Sequence, residues 1–352
     1  MLQTEGRLSQ GTLLEVRDLK THFRTPRGLV RAVDGVSFTL ERGRSLGIVG
    51  ESGSGKTVLS RTIMGLLPRR TTQLSGSVQF AGREILGLTP KQMRGVWGKE
   101  MAMIFQDPMT SLNPLMKIGK QIQEPLRNHL GMPKDDAKAT AIRLLQDVRI
   151  PEAERRLEQY PHELSGGMRQ RVMIAIAMAC GPTILLADEP TTALDVTVQA
   201  QILDLIQDQR TDRNMSVILV THDLGVVAGH TDEIAVMYGG KLVEKATTRR
   251  LFSSMKMPYT EALLQSIPKL EDAPHTRLAV IPGRPPDLVN PPEGCRFAPR
   301  CPYAQDKCRQ EEPPLVTALD DPTHTYACWF PVGSPEQVEI KARRAAEPVA
   351  VS

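Results

Sequence analysis

Cysteine, one-sided charge and long hydrophobic runs are all scarce in this 352-residue chain. Five cysteines are too few to staple a protein of this size with disulfides, so the expected compartment is a reducing, cytosolic one. The opening residues MLQTEGRLSQ carry neither the basic nor the apolar region of a secretion signal. The longest apolar stretch, VMIAIAMAC at 172–180, is about half the roughly 20 residues needed to cross a bilayer, which excludes a spanning helix. Lys and Arg number 44 against 40 Asp and Glu, and the resulting charge of +4 is too small to mark a nucleic-acid binder by itself. No internal repeat is present, and each motif described below occurs once.

What the chain does have is unevenly distributed. Hydrophobic residues make up 40%, enough for a substantial core, and the length is comfortable for two domains. Four of the five cysteines (Cys295, Cys301, Cys308 and Cys328) and 14 of the 27 prolines fall between Pro258 and Pro331. This predicts a conventional body over 10–257, a small loop-rich extension over 258–332 and a weakly patterned, flexible tail over 333–352. Cys180, inside the apolar run, reads as an inert core thiol.

The body reads as α/β. The segments LLEVRDL, VSFTL and SLGIVG have the composition of strands, and TVLSRTIMGLL follows a glycine run with helical periodicity. GSVQFAGREIL reads as a strand and hairpin, and 101–105 as a short buried strand ending at Gln106. From about 107 to 180 the apolar spacing is helical, which predicts a helical insertion. ILLADE and SVILVTHD are continuous apolar runs, as expected of parallel strands covered on both faces, with a helical segment between them. In such sheets chemistry sits beyond the carboxyl ends of the strands, which singles out Asp188, Glu189 and His222.

Residues 50–57, Gly50, Glu51, Ser52, Gly53, Ser54, Gly55, Lys56 and Thr57, match the phosphate-loop pattern with one additional glycine. Glycines let the backbone N–H groups turn toward phosphate oxygens, Lys56 can reach the β- and γ-phosphates, and the Thr57 hydroxyl can hold Mg²⁺. A helix N-terminus beneath the loop adds a favourable field. At the strand end downstream, Asp188 can hold Mg²⁺ through water and Glu189 can polarise a water for in-line attack on the γ-phosphate.

With LSGGMRQR at 164–171 and DEPTTALD at 188–195 following the phosphate loop in this order, the sequence resembles an ABC transporter ATPase over the whole body. The resemblance implies an ABC-type P-loop nucleotidase core with an antiparallel β region and a helical subdomain at about 107–180. It also implies roles for single residues. Leu164, Ser165, Gly166 and Gly167 would be the signature that covers ATP held by a second nucleotide domain. Gln106 would be the Q-loop glutamine contacting Mg²⁺ or the attacking water. Thr192, Ala193, Leu194 and Asp195 would form the D-loop, His222 would meet the γ-phosphate, and Phe23 would stack on adenine. Because the chain has one set of motifs, it must pair with another such domain to complete its sites.

YPHELSGGMRQRVMIAIAMAC, ADEPTTALDVTVQAQIL and the tail sequence IPGRPPDLVNPPEGCRFAPRCPYAQDKC look like the ATP-binding subunits of bacterial dipeptide and oligopeptide importers. Cys295, Cys301, Cys308 and Cys328 could supply four thiolates to tetrahedral zinc or an iron–sulfur cubane, or remain reduced or paired; their spacing alone does not rank zinc against iron. The resemblance favours a [4Fe-4S] cluster of structural role, with Zn²⁺ as the alternative. It further implies two membrane permease subunits, a second homologous ATPase and an extracytoplasmic peptide-binding protein as partners, at the cytoplasmic face of the inner membrane, with no nucleic acid. Competing expectations are a soluble ABC ATPase acting on ribosomes or nucleic acid, and an iron–sulfur redox-sensing ATPase. Within importers, nickel complexes or glutathione are alternative cargoes.

Overall fold

The structure, a computed structural model, describes residues 11–107, 111–192, 194–267 and 281–346. Ala193 of the expected D-loop, residues 268–280 of the extension and 347–352 of the tail lie outside that set.

Two sheets organise the chain. The first is antiparallel, in the order β2-β1-β4-β5, from β1 (Thr12–Thr25), β2 (Gly28–Glu41), β4 (Thr72–Phe80) and β5 (Arg83–Glu84). β1 and β2 join through Pro26 and Arg27, and the turn is closed by the Thr25 hydroxyl donating to the Gly28 carbonyl at 2.8 Å. The second sheet has eight strands in the order β11-β12-β10-β9-β3-β8-β7-β6. Its members are β3 (Ser45–Val49), β6 (Met101–Ile104), β7 (Ile184–Asp188), β8 (Ser216–Thr221), β9 (Glu233–Tyr238), β10 (Lys241–Thr247), β11 (Val316–Ala318) and β12 (Asp321–Tyr326). β6, β7, β8, β3 and β9 run parallel, whereas β10, β12 and β11 add antiparallel pairs at one edge.

Every residue of β3, β7 and β8 is buried, which explains their unbroken apolar text. Successive side chains still alternate between two cores. Leu185, Ala187, Val217 and Leu219 face a core shared with the helices, while Ile184, Leu186, Ile218 and Val220 face the antiparallel sheet. The helices used below are α1 (Lys56–Ile63), α2 (Ile118–Leu130), α3 (Lys134–Asp147), α4 (Gly166–Met178), α5 (Val196–Arg213), α6 (Pro258–Gln265) and α7 (Pro335–Ala346). α2, α3 and α4 pack on one another through Ile118, Ile122, Leu126, Ala141, Leu145, Val172 and Ala175.

Two features differ from the sequence reading. The segment expected to be flexible holds α7, docked by the buried Gln337 and by Lys341 donating to Glu261 at 3.0 Å. Cys180 is half-buried rather than a core residue, and burial raises its thiol pKa. The extension is built into the second sheet, because β12 pairs with β10 through Glu244 opposite Tyr326 and Lys245 opposite Thr325. His324 and Glu244, both fully buried, meet at 2.8 Å beneath that pairing. Tyr238 of β9, Tyr259 of α6 and Phe297 of the extension form a ring cluster with centroids 4.5 to 5.3 Å apart.

Candidate functional site

The loop between β3 and α1 is shaped by close backbone approach. A Cβ on Gly50 would lie 2.2 Å from the Met237 carbonyl, and one on Gly55 2.2 Å from that of Ala32; both residues also have positive φ. Only glycine is accommodated at either position. Gly53, with φ +81°, faces open space. The Ser54 hydroxyl is buried without a partner. Lys56 curls back, donating from Nζ to the carbonyls of Gly50 at 2.7 Å and Glu51 at 3.0 Å. Burial lowers its pKa, and the Glu189, Asp188 and Glu51 carboxylates only partly offset that effect.

Asp188 ends β7 and is fully buried. Its Oδ1 accepts from the Thr57 hydroxyl at 3.0 Å, whereas its Oδ2 is buried without a partner. Burial raises its pKa most, opposed by the Thr57 hydrogen bond. A carboxylate with one oxygen tied to the phosphate-loop threonine and the other unpaired has the donor chemistry of a Mg²⁺ site.

One residue on, the chain turns sharply: Glu189 has φ +48° and its N–H donates to the Val220 carbonyl of β8. Three side chains converge on its Oε2. Gln106 donates from Nε2 at 3.0 Å, Thr192 from its hydroxyl at 2.9 Å, and His222 Nδ1 lies 3.5 Å away. Three residues from different strand ends, each singled out in the sequence, therefore meet at one carboxylate oxygen. Ser52 lies in the same loop, between Gly50 and Ser54.

The 164–167 segment sits at the start of α4. Leu164 is buried, and Ser165 caps the helix, its hydroxyl accepting from Met168 N–H at 3.3 Å. A Cβ on Gly167 would touch Val198 of α5 at 3.0 Å, and Asp195 caps α5 by accepting from Val198 N–H, so the two motifs abut. Leu194 packs against the helix-side core. Phe23 is half-buried in β1, opposite Val30 and Thr72; Thr21 of the same strand meets Thr62 of α1 at 2.9 Å.

Cys295, Cys301, Cys308 and Cys328 line a single cavity with Phe297, Tyr303, Trp329 and Phe330, and none is in a disulfide. Burial pushes the Cys295 thiol up to about 11, and Cys328 is raised as well. Among the described residues no group of three or more His, Cys, Asp or Glu is arranged to hold a metal ion. The four thiols line one cavity without the tight convergence, about 2.3 Å from each sulfur, that a single zinc ion needs.

Sequence reasoning missed the two arginines between the first pair of these cysteines. Arg296 donates to the Gly239 carbonyl and to Asp34, and Arg300 pairs with Glu51 of the phosphate loop. Their spacing of four, flanking Phe297, was the available signal, but other arginines nearby carry similar local text.

The pattern defining the family described as ABC transporter matches residues 33–192, and that of the oligopeptide/dipeptide transporter C-terminal region matches residues 243–308. The chain is 50% identical over 341 residues to the oligopeptide transport ATP-binding protein OppD of Bacillus subtilis, covering 95% of each chain. It is 49% identical over 324 residues to the dipeptide transport ATP-binding protein DppD of Lactococcus lactis, covering 92% of each. Among solved structures, the dimeric MJ0796, a bacterial ABC transporter cassette, superposes with a TM-score of 0.61 at 26% identity, covering 67% of this chain and 99% of that one.

Proposed function

The chain belongs to the ABC transporter ATP-binding proteins that carry the oligopeptide/dipeptide transporter C-terminal region, and from that premise we propose how its residues divide the work. It is an ATPase that powers peptide import through membrane permeases, with 10–257 as the nucleotide-binding body and 258–332 as the extension. The observation that carries the mechanism is the convergence of Gln106, Thr192 and His222 on Glu189 Oε2, at the mouth of a phosphate loop.

Gly50, Ser52, Gly53, Ser54 and Gly55 present backbone N–H groups, and the free Ser54 hydroxyl, to the phosphates of ATP. Lys56 exchanges its carbonyl partners for β- and γ-phosphate oxygens. Thr57 and Asp188 would hold Mg²⁺, with Gln106 nearby; when bound, the ion neutralises charge on the transferring phosphoryl group. Glu189 orients and deprotonates the attacking water, and His222 steadies the γ-phosphate. Phe23 stacks on adenine. Leu164, Ser165, Gly166 and Gly167, followed by Thr192, Ala193, Leu194 and Asp195, face the nucleotide of a second, homologous ATPase subunit. Coupling to two permeases runs through Gln106, which joins the helical subdomain to the water-activating carboxylate.

Among the described residues no helix is long and apolar enough to cross a membrane. The transport reading calls for membrane permease partners, and a peripheral position at the cytoplasmic face of the inner membrane accompanies that reading. A [4Fe-4S] cluster on the four cysteines is supported by their shared cavity and by the lobe's small apolar interior. Anaerobic purification with the neighbouring gene products, followed by ATPase assay on added peptides and iron and sulfide analysis, tests both parts. Absence of permeases and of peptide stimulation overturns the transport role, and absence of iron and sulfide overturns the cluster.

A further inference from the structure

Glu51 is the one acidic residue in the phosphate loop, and its side chain points away from that loop into the cysteine extension. There Arg300 grips it with both ends of the guanidinium, Nη1 donating to Oε2 at 2.6 Å and Nη2 to Oε1 at 2.9 Å. The Arg300 side chain is 4% exposed and that of Glu51 27%. The rest of the guanidinium is fixed as well: Nε donates to the Pro282 carbonyl at 2.9 Å, Nη2 to that of Ile281 at 3.1 Å, and Nη1 to the Tyr238 hydroxyl at 3.2 Å. The backbone of Glu51 is tied separately, its N–H donating to the Tyr259 hydroxyl at 2.9 Å. The loop is therefore held from outside, by groups of the lobe and of the two rings that pack on it.

An acidic side chain is a poor neighbour for a polyphosphate. Glu51 acts electrostatically on Lys56, the lysine that would meet ATP, so its charge is felt at the site. A planar fork with fixed partners compensates such a carboxylate more completely than a mobile lysine can. We propose that Arg300 is a positioning residue for ATP binding: from within the cysteine lobe it neutralises Glu51 and steadies the phosphate loop, so that incoming ATP meets no uncompensated carboxylate. This rests on the ATPase reading above. It gives the lobe a stake in nucleotide affinity without placing any of its atoms on the nucleotide.

The test measures the dissociation constant of Mg-ATP by calorimetry on the full-length chain, with melting temperature as the check on folding. Arg300→Gln, which removes the charge but keeps a donor, weakens binding about tenfold, within the range of a hydrogen bond to a charged group. Raising the salt concentration shrinks that defect. Glu51→Gln added to Arg300→Gln recovers most of the lost affinity, which a purely structural role for the arginine would not allow. Unchanged affinity in Arg300→Gln, or a double variant as weak as the single one, overturns the proposal. If Arg300→Gln does not fold, the half-exposed partner carries the test. Glu51→Asp, whose shortened carboxylate reaches Arg300 less well, then weakens binding more than Glu51→Gln, and the reverse ranking overturns the proposal. Wild-type chain that binds no Mg-ATP defeats the ATPase reading itself, an outcome distinct from the others.

Discussion

The phosphate-loop site and the cysteine lobe both bury charged side chains, yet they differ in how those charges are partnered. At the site, Asp188 Oδ2 and Ser54 Oγ are buried with no hydrogen bond. In the lobe, Arg296 and Arg300 are bonded to carboxylates and backbone carbonyls. A buried polar atom without a partner costs about 1–3 kcal/mol, and at the phosphate loop bound nucleotide and Mg²⁺ would supply the missing bonds. The two arginines thus hold the lobe to the body, whereas the phosphate-loop groups keep bonding capacity open.

Four experiments sharpen that contrast, from the largest effect to the smallest. Glu189→Gln keeps the shape of the site and removes the proposed base; phosphate release falls by about 10²–10⁴-fold while ATP binding persists, and unchanged turnover would reject the catalytic role. In the lobe, Phe297→Ala opens the ring cluster with Tyr238 and Tyr259 and destabilises the protein by about 3–5 kcal/mol, read by denaturant unfolding. Ser54→Ala deletes a hydroxyl that bonds nothing in the free protein. It should leave the melting temperature unchanged and weaken ATP binding by about 1 kcal/mol; a loss of stability instead would mark the hydroxyl as structural.

The smallest effect concerns acid. Burial alone would raise the Asp34 pKa, but Arg296 and His22 outweigh it and hold the carboxyl below its usual 3.8. The pair's stabilisation is therefore complete above that value and is lost as pH falls through the lower, folded-state one. Asp34→Asn should flatten only the most acidic part of the melting-temperature profile, below about pH 4, and a difference centred near neutrality would contradict the pairing.

Much of the ATP site was legible because its chemistry needs particular residue types at fixed spacing. Glycines at 50 and 55 answer to nearby carbonyls, and the strands before Asp188 and His222 are apolar because both of their faces are covered. The lobe was legible only in outline. β12 reads DPTHTY, polar and containing proline, and it is a strand because β10 supplies its partner and Glu244 receives His324. α7 is mostly polar and was read as flexible, since its anchors, Gln337 and Lys341, resemble any solvated side chains until Glu261 is near. The same limit hid Arg300: nothing local distinguishes it from Arg309, whose ion pair with Asp306 is exposed.

The strand pairing between β10 and β12 carries a consequence for anyone recombining such proteins. The junction near residue 258 looks like a place to cut, but the eight-stranded sheet runs through it from β11 at one edge to β6 at the other. A chain ending there would bare the β10 edge, remove His324 from Glu244 and invite self-association. A chimera that exchanges the lobe must therefore bring its own β10 and acidic acceptor with it, splicing between β9 and β10 rather than just before α6.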